Sequence, residues 1–520
     1  MSARRAEIGS KATFSSITGV NVAFDAEPVP PHRPRADYDS LVSAAASNDA
    51  PAVLIMAAGE GTRMRSSLPK PLHPVCGRPM VAWPVLAARE AGAGRVAVIV
   101  SPNHDLSSAL PEGTETFVQP EPNGTGGAVR AALDLVRASG TVVVVNGDHP
   151  LVSAAVIREL LEAHRAAGAA ATVMSVLRDD AEQLGRIVRG PDGTFERIVE
   201  TKHPEGVPPE VLEIREVNTN QFAFEGGALA DALGRLENDN PAGEYYIGDV
   251  LPLIRAAGGE VIAHRTDDLN ANLGVNSRLE LARAAELARE MILERHMLAG
   301  VGVTDPASTW VDAGVELAAD VTLEPGTMLR GATSVGAGSV IGPHSTLIDV
   351  RAGERTRIPH SYLTECEVGD DAQVGPFAYL RPGTRLATGA KAGTFVEIKN
   401  SEIAPGAKVP HLAYIGDTEV GAGTNIGAGA ITANYDGFRK NRTKIGERAR
   451  IGVNNSLVAP VAVGDDAYTG AGAVIRKDVP PGALGVSKVQ QRNIEGYAER
   501  KAREMSDDSE APRGERREED

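Results

Sequence analysis

The chain is poor in cysteine, aromatic residues, positive charge and long apolar runs, and each shortage excludes something. Cys76 and Cys366 are its only cysteines, with no C-x-x-C and nothing else at metal-ligand spacing. Neither a disulfide framework nor a cysteine zinc site is expected. This fits a reducing cytosol, so a cytoplasmic protein is expected. No apolar stretch approaches the ~18 residues a membrane span needs, and Arg4-Arg5 is followed by polar, proline-containing sequence rather than an apolar signal core. Lys plus Arg is 53 against Asp plus Glu 69, a net charge of -16, the wrong sign for capturing a polyanion by counterion release. No nucleic-acid partner and no membrane span are expected.

What is present points to several domains, since 520 residues is long against roughly 100 to 200 residues per domain. Aromatics are 4% while glycine numbers 56, so part of the core must be built from small and aliphatic residues. Residues 1–50 carry Pro28, Pro30, Pro31 and Pro34 without periodicity and read as a disordered arm. Over 51–273, aliphatic runs such as Val96–Val100 and Thr141–Val145 alternate with Ala-rich helical stretches, which predicts an α/β domain with a parallel sheet covered on both faces. Residues 274–298 place Leu279, Ala282, Leu287, Met291 and Leu298 at near-helical spacing, a linker helix.

From 299 to 497 the period becomes six: Val335-Gly336, Ile341-Gly342, Val368-Gly369, Val374-Gly375, Ile415-Gly416, Val420-Gly421, Ile426-Gly427, Ile445-Gly446, Ile451-Gly452 and Val463-Gly464. An aliphatic residue at that spacing points inward from each corner of a triangular coil and stacks on its neighbours, so no large rings are needed. The expected fold class is α/β plus all-β, a Rossmann-like domain, a linker helix and a left-handed parallel β-helix of hexapeptide repeats. Residues 498–520 are mixed charge with little to bury and are expected to be disordered.

After the first aliphatic strand comes Ala57-Ala58-Gly59-Glu60-Gly61-Thr62-Arg63-Met64, then Leu68-Pro69-Lys70-Pro71-Leu72. Glycines at a strand end let backbone N–H groups approach phosphates, and Arg63 and Lys70 can neutralise charge that develops in phosphoryl transfer. It is not a Walker loop, because no Gly-Lys-Ser/Thr follows, nor a dinucleotide fingerprint, because Met64 stands where the third glycine belongs. Taken alone, Gly-x-Gly also fits a plain tight turn.

The whole string resembles the signature of sugar-1-phosphate nucleotidyltransferases. Asn123-Gly124-Thr125-Gly126, Asn146-Gly147-Asp148, Gly185-Arg186-Ile187, Val199-Glu200-Thr201-Lys202, Val217-Asn218-Thr219 and Gly243-Glu244-Tyr245-Tyr246 follow in that family's order. The coil adds Tyr379-Leu380-Arg381-Pro382-Gly383, Phe395-Val396-Glu397-Ile398-Lys399-Asn400, His411-Leu412-Ala413-Tyr414-Ile415-Gly416-Asp417, Thr424-Asn425-Ile426-Gly427 and Ala433-Asn434-Tyr435-Asp436-Gly437. Together, over 51 to 497, they resemble the bifunctional N-acetylglucosamine-1-phosphate uridyltransferase / glucosamine-1-phosphate acetyltransferase family.

That resemblance implies UTP, acetyl-CoA and sugar phosphates as small-molecule substrates, Mg2+ as cofactor and a homotrimer. It implies that Ala57, Ala58, Gly59 and the following loop wrap nucleotide phosphates, with Arg63 and Lys70 stabilising transferred charge. Gln119 and Gly124 would read the uracil edge with Thr125 beside them, while Gly185, Glu200 and Asn218 would contact the sugar. Asp148 and Asn276 would hold magnesium, Asn276 also lying against the UDP-sugar. In the coil, His411 would be the base, since histidine titrates near neutral pH. Arg381, Lys399, Tyr414 and Asn425 would hold the sugar phosphate, and Asn434, Tyr435, Val453, Ala471 and Lys488 acetyl-CoA.

Taken singly these residues also fit blander roles: Asp148 as a turn cap, Asn218 and Asn276 as loop residues, Glu200 as a solvated carboxylate, and His411 as a surface histidine. Pro122, Gly127, His149, Asn220, Gly248 and Ser277 depart from the family pattern around one pocket, and Val453 replaces a serine facing acetyl-CoA. Two rival readings follow: a divergent paralogue with one site changed or dead, and a nucleotidyltransferase whose coil is only a scaffold for trimerisation. His344 and His360 show no matching coil spacing, so metal catalysis in the coil is not expected.

Overall fold

The computed structural model describes residues 50–181, 183–201, 205–240, 243–487 and 491–510, of which 505–510 are described by backbone only. The expected arm 1–50 lies outside these residues except for Ala50, as do Lys202, Lys488 and the last ten residues of the expected tail.

Short aliphatic runs form the strands of the first sheet. They are β1 Ala52–Met56, β2 Arg95–Val100, β3 Glu115–Val118, β4 Thr141–Asn146, β5 Ala171–Leu177, β6 Arg186–Arg189, β7 Phe195–Val199, β8 Glu216–Glu225 and β9 Val261–Arg265. The order is β9-β5-β8-β4-β1-β2-β3, with β6 pairing β8 and β7. Two buried clusters, one containing Leu54, Val142, Val144 and Phe222 and the other Ile55, Val143, Val145 and Ile157, lie on its two faces because side chains alternate along a strand.

The sheet is not wholly parallel as expected. β8 runs antiparallel to both β4 and β5. The chain leaves β5 at Leu177, makes the β6–β7 hairpin, and re-enters at Glu216, directly opposite Leu177. A parallel strand would need a crossover back to the far edge, and the described residues between them hold only the short helix Pro209–Leu212.

β1 and β4 are adjacent and parallel, so the loops after Met56 and Asn146 emerge side by side at one sheet edge, where open α/β sheets place their ligands. Gly147 N donates to Met56 O at 2.9 Å, closing the two loops against each other.

The helix Arg278–Leu298 joins the halves and is capped by Ser277, whose Oγ accepts from Glu280 N, while Glu280 Oε2 accepts from Asn276 N at 2.8 Å. The buried row is Ala284, Ala288, Ile292 and His296; of the expected leucines Leu287 packs partly buried on the core, while Leu279 is 63% and Leu298 84% exposed. Ala288, Ile292 and Leu293 share a core with Val75, Cys76, Val301 and Val311, and Ala284 packs with Met80 and Val275.

Beyond it three parallel sheets of 11, 10 and 9 short strands stack coil on coil, a parallel β-helix. The sixfold residues form inward columns; Leu323, Ile341, Ile358, Val374, Val409, Ile426 and Ile451 are all buried. Successive rungs pair Lys391 with Lys408 and Lys408 with Asn425, and then Asn425 with Arg450, so an insertion leaves one corner after Ala433 and the ladder resumes beyond it. The C-terminal segment differs from expectation: instead of disorder from 498, a helix spans Tyr497–Glu510.

Candidate functional sites

At the sheet edge the loop after β1 carries Ala57 and Ala58, buried, and Gly59, whose missing side chain opens onto free space. Gly61 has φ +64, and a Cβ there would meet Lys70 Cβ at 2.5 Å. Glycine is thus required at 61 both by its backbone and by the lysine beneath it. Lys70 is buried, and its Nζ donates to Asp148 Oδ2 at 2.6 Å and to Asn276 Oδ1 at 2.8 Å. Three residues far apart in sequence therefore converge, with Val275 N on Asp148 O at 2.9 Å holding the Asn276 segment in place.

Burial pushes the Asp148 carboxyl up, but His149 and Lys70 beside it outweigh this and hold it below the ordinary carboxylate range. Burial also pushes His149 down. With the imidazole neutral, the Lys70 ammonium is the lasting cause. His149 Nδ1 donates to Ala271 O at 3.3 Å, so this departure braces the 271–276 segment. Asp148 and Asn276 each turn an oxygen, one carboxylate and one amide, to the Lys70 ammonium; hard oxygens of this kind also suit a cation completed by waters and phosphates. No group of three or more His, Cys, Asp or Glu able to hold a metal occurs among the described residues. Arg63 lies exposed at the mouth of the loop.

Of the residues expected to meet the base, Gln119 is buried, and Gly124 has φ +100 against Tyr245 O. Thr125 Oγ1 accepts from Ile247 N at 3.0 Å, and Gly126 N donates to Tyr245 O at 2.7 Å, so the 123–126 loop is clamped to 245–247. Of the residues expected to meet the sugar, Asn218 N donates to Gly185 O at 2.8 Å, and Glu200 Oε1 is 3.1 Å from where a Gly185 Cβ would lie. Gly185, Glu200 and Asn218 are thus brought together. Asn220, at φ +57, accepts from Asn218 Nδ2 at 2.9 Å; asparagine tolerates that backbone. Ser277 is accounted for as the helix cap. Nothing in the structure relates Pro122 or Gly248 to the pocket.

In the coil the hub is a residue the sequence reading did not single out. Asp417, buried at φ +51, accepts from Asn400 Nδ2 at 2.6 Å and Asn434 Nδ2 at 2.5 Å, and its Oδ2 is 3.6 Å from Lys399 Nζ. Burial pushes its carboxyl up, but the amides of Asn400 and Asn434, with Lys399, outweigh this and hold it low. Asn434 Nδ2 also reaches Tyr414 OH at 3.5 Å. A Cβ on Gly416 would meet that hydroxyl at 2.5 Å. Arg381 stands one rung above Lys399, bonded to Glu397 at 2.9 Å. Lys440, on the insertion, was also missed; its contact with Lys399 pushes its ammonium down.

So Asn400, Asn434 and Lys399 gather around Asp417, with Tyr414 joined through Asn434; Arg381 pairs instead with Glu397 on the neighbouring rung, and His411 lies exposed at the preceding corner, three residues before Tyr414. Asn425, Tyr435, Val453 and Ala471 are not joined to the cluster by any hydrogen bond among the described residues, and Tyr435 and Val453 are exposed. Lys488 is outside the described residues. The signal that could have found Asp417 is its place at the end of the His-Leu-Ala-Tyr-Ile-Gly-Asp string. One expectation is corrected: His344 and His360 do occupy matching corners, their rings 5.4 Å apart, because His360 N pairs with Pro343 O on the preceding coil.

Residues 53–242 match the model of the MobA-like NTP transferase domain family. Over 454 residues the chain is 49% identical to the "Bifunctional protein GlmU" of Kineococcus radiotolerans, covering 86% of this chain and 91% of that one. It is 47% identical to the protein of that name from Streptomyces avermitilis, covering 86% and 94%. To that from Mycobacterium tuberculosis it is 43% identical, covering 86% and 92%.

Proposed function

The chain belongs to the bifunctional GlmU family, and from that premise we propose how its residues divide the work. It is a two-site transferase of UDP-N-acetylglucosamine synthesis, a step of cell-wall precursor formation. One site transfers acetyl from acetyl-CoA to the 2-amine of glucosamine-1-phosphate. The other transfers uridylyl from UTP to N-acetylglucosamine-1-phosphate and releases pyrophosphate.

The units are the nucleotidyltransferase domain over 51–273, the linker over 274–298 and the acetyltransferase coil over 299–497. At the coil, Arg381, Lys399, Tyr414 and Asn425 hold the sugar phosphate, Lys399 being aimed by Asp417. His411 takes the proton of the attacking nitrogen as the acyl–sulfur bond breaks and coenzyme A leaves. Asn434, Tyr435, Val453, Ala471 and Lys488 face the coenzyme.

At the sheet edge, the loop over Ala57, Ala58 and Gly59 wraps the triphosphate, Gln119, Gly124 and Thr125 receive the base, and Gly185, Glu200 and Asn218 receive the sugar. A phosphate oxygen of the sugar attacks the α-phosphorus in line, and Arg63 and Lys70 stabilise the charge that develops. Asp148 and Asn276 would hold magnesium, which when bound supplies charge neutralisation at the phosphates.

The single observation that carries this reading is the convergence of Lys70, Asp148 and Asn276 at the carboxyl edge of β1 and β4. We read the protein as cytoplasmic and homotrimeric; Tyr435 and Val453, exposed and without a hydrogen bond to the Asp417 cluster among the described residues, support a groove closed by a second copy. The deciding experiment supplies magnesium, UTP and N-acetylglucosamine-1-phosphate without acetyl-CoA and follows pyrophosphate beside Asp148→Ala. In parallel it supplies acetyl-CoA and glucosamine-1-phosphate and follows release of the coenzyme A thiol beside His411→Ala. Each variant losing only its own activity supports the assignment; activity surviving in both overturns it.

A further inference from the structure

Gly127 departs from the family pattern, and the structure shows what uses the space. A Cβ on Gly127 would fall 1.8 Å from Asn123 Oδ1, so the Asn123 carboxamide fills the volume that a side chain at 127 would take. The two positions are coupled, since Asn123 can point there only because 127 is glycine.

From that position Asn123 Oδ1 accepts from Gln119 Nε2 at 3.0 Å, and the same Nε2 donates to Gly124 O at 3.1 Å. A backbone carbonyl can only accept, so the atom of Gln119 that faces Gly124 O is the NH2. With both donors of that NH2 committed to carbonyl oxygens, the end of the amide left over is Oε1, an acceptor with no protein donor among the described residues. Gln119 is 5% exposed, and rotating its amide would bring two oxygens against each other and leave Asn123 Oδ1 without its donor, a costly exchange in a buried site.

We propose that Asn123 is a positioning residue for nucleobase selection: seated in the space left by Gly127, it locks the Gln119 amide with Oε1 as the only group offered to the pyrimidine. This rests on the reading that Gln119 meets the base. With N3 of the ring against the amide, uracil offers N3–H, a donor that Oε1 accepts. Cytosine offers a bare N3, which would need the amide reversed. Locking the amide therefore penalises CTP without any contact between Asn123 and the nucleotide.

The test measures kcat/KM for UTP and for CTP, each with N-acetylglucosamine-1-phosphate and magnesium, in the full chain and in Asn123→Leu, Asn123→Asp and Gln119→Ala. Asn123→Leu keeps the volume and loses the acceptor. It should lower the UTP/CTP ratio about tenfold, mainly through a higher KM for UTP, with kcat little changed. Asn123→Asp keeps the acceptor and should keep most of the ratio. In the Gln119→Ala background Asn123→Leu should leave the ratio where it was. An unchanged ratio in Asn123→Leu, or an equal drop with and without Gln119, overturns the inference while leaving the uridyltransferase reading intact. Failure of the unaltered chain to release pyrophosphate from UTP would instead defeat that reading, and the inference with it.

Discussion

Lys70 Nζ lies 2.6 Å from Asp148 Oδ2 and donates as well to Asn276, so one ammonium ties the phosphate loop to the oxygens expected to hold a metal. The lysine is buried at 10% side-chain exposure while the aspartate keeps 28%. The carboxylate therefore opens to the pocket, and the lysine approaches it from beneath.

Replacing Asp148 with Asn preserves shape and removes the charge. Lys70 is then left buried without a counter-ion, and a divalent cation loses its anionic ligand. Uridylyl transfer should fall at least about a hundredfold, while thiol release at the coil is unchanged. Both are read on one preparation.

Asp417→Ala should act on the other half alone. It leaves Asn400, Lys399 and the buried Asn434 without their common acceptor, and one buried polar group stripped of its partner costs about 1–3 kcal/mol. Chemical denaturation should show a loss of roughly that size in the coil's transition. Acetyl transfer should drop with a raised KM for glucosamine-1-phosphate, and pyrophosphate release should persist.

The same carboxylate sets an acid limit. Its native affinity for protons is depressed below the ordinary carboxylate value. It therefore contributes stability at every pH above about 4, and the contribution fades as pH falls through that value toward the depressed native one. Thermal unfolding followed from about pH 6 to about pH 3 should fall more steeply for the unaltered chain than for Asp417→Asn.

Gly416→Ala tests the floor of the cluster. The added methyl would meet Tyr414 OH at 2.5 Å and Asn434 Nδ2 at 2.7 Å, so both groups must move from Asp417. Weaker sugar-phosphate binding with an intact far-ultraviolet spectrum is expected, checked by calorimetric titration with glucosamine-1-phosphate.

The coil was legible because its period is written in single residues: Ile341, Ile426 and Ile451 are inward wherever an aliphatic precedes glycine. Strand direction was not, since the buried run of β8 reads the same in either sense and only its entry opposite Leu177 fixes it. Leu279 and Leu298 misled because a helix face is chosen by what packs on it, and a close neighbour favoured alanine. Motif order found Lys70, Asp148 and Lys399. Asp417 and Asn123 stayed hidden because they act through other side chains, Asp417 through amides one coil away and Asn123 through a volume vacated at Gly127.

The insertion after Ala433 leaves the pairing of Thr418 with Thr443 and of Ile426 with Ile451 in register. A rung that takes more chain to complete still lands on the same step of the column. The length of the insertion and the register of the column are thus independent: segments of other lengths at that corner would leave the column above and below on the same steps.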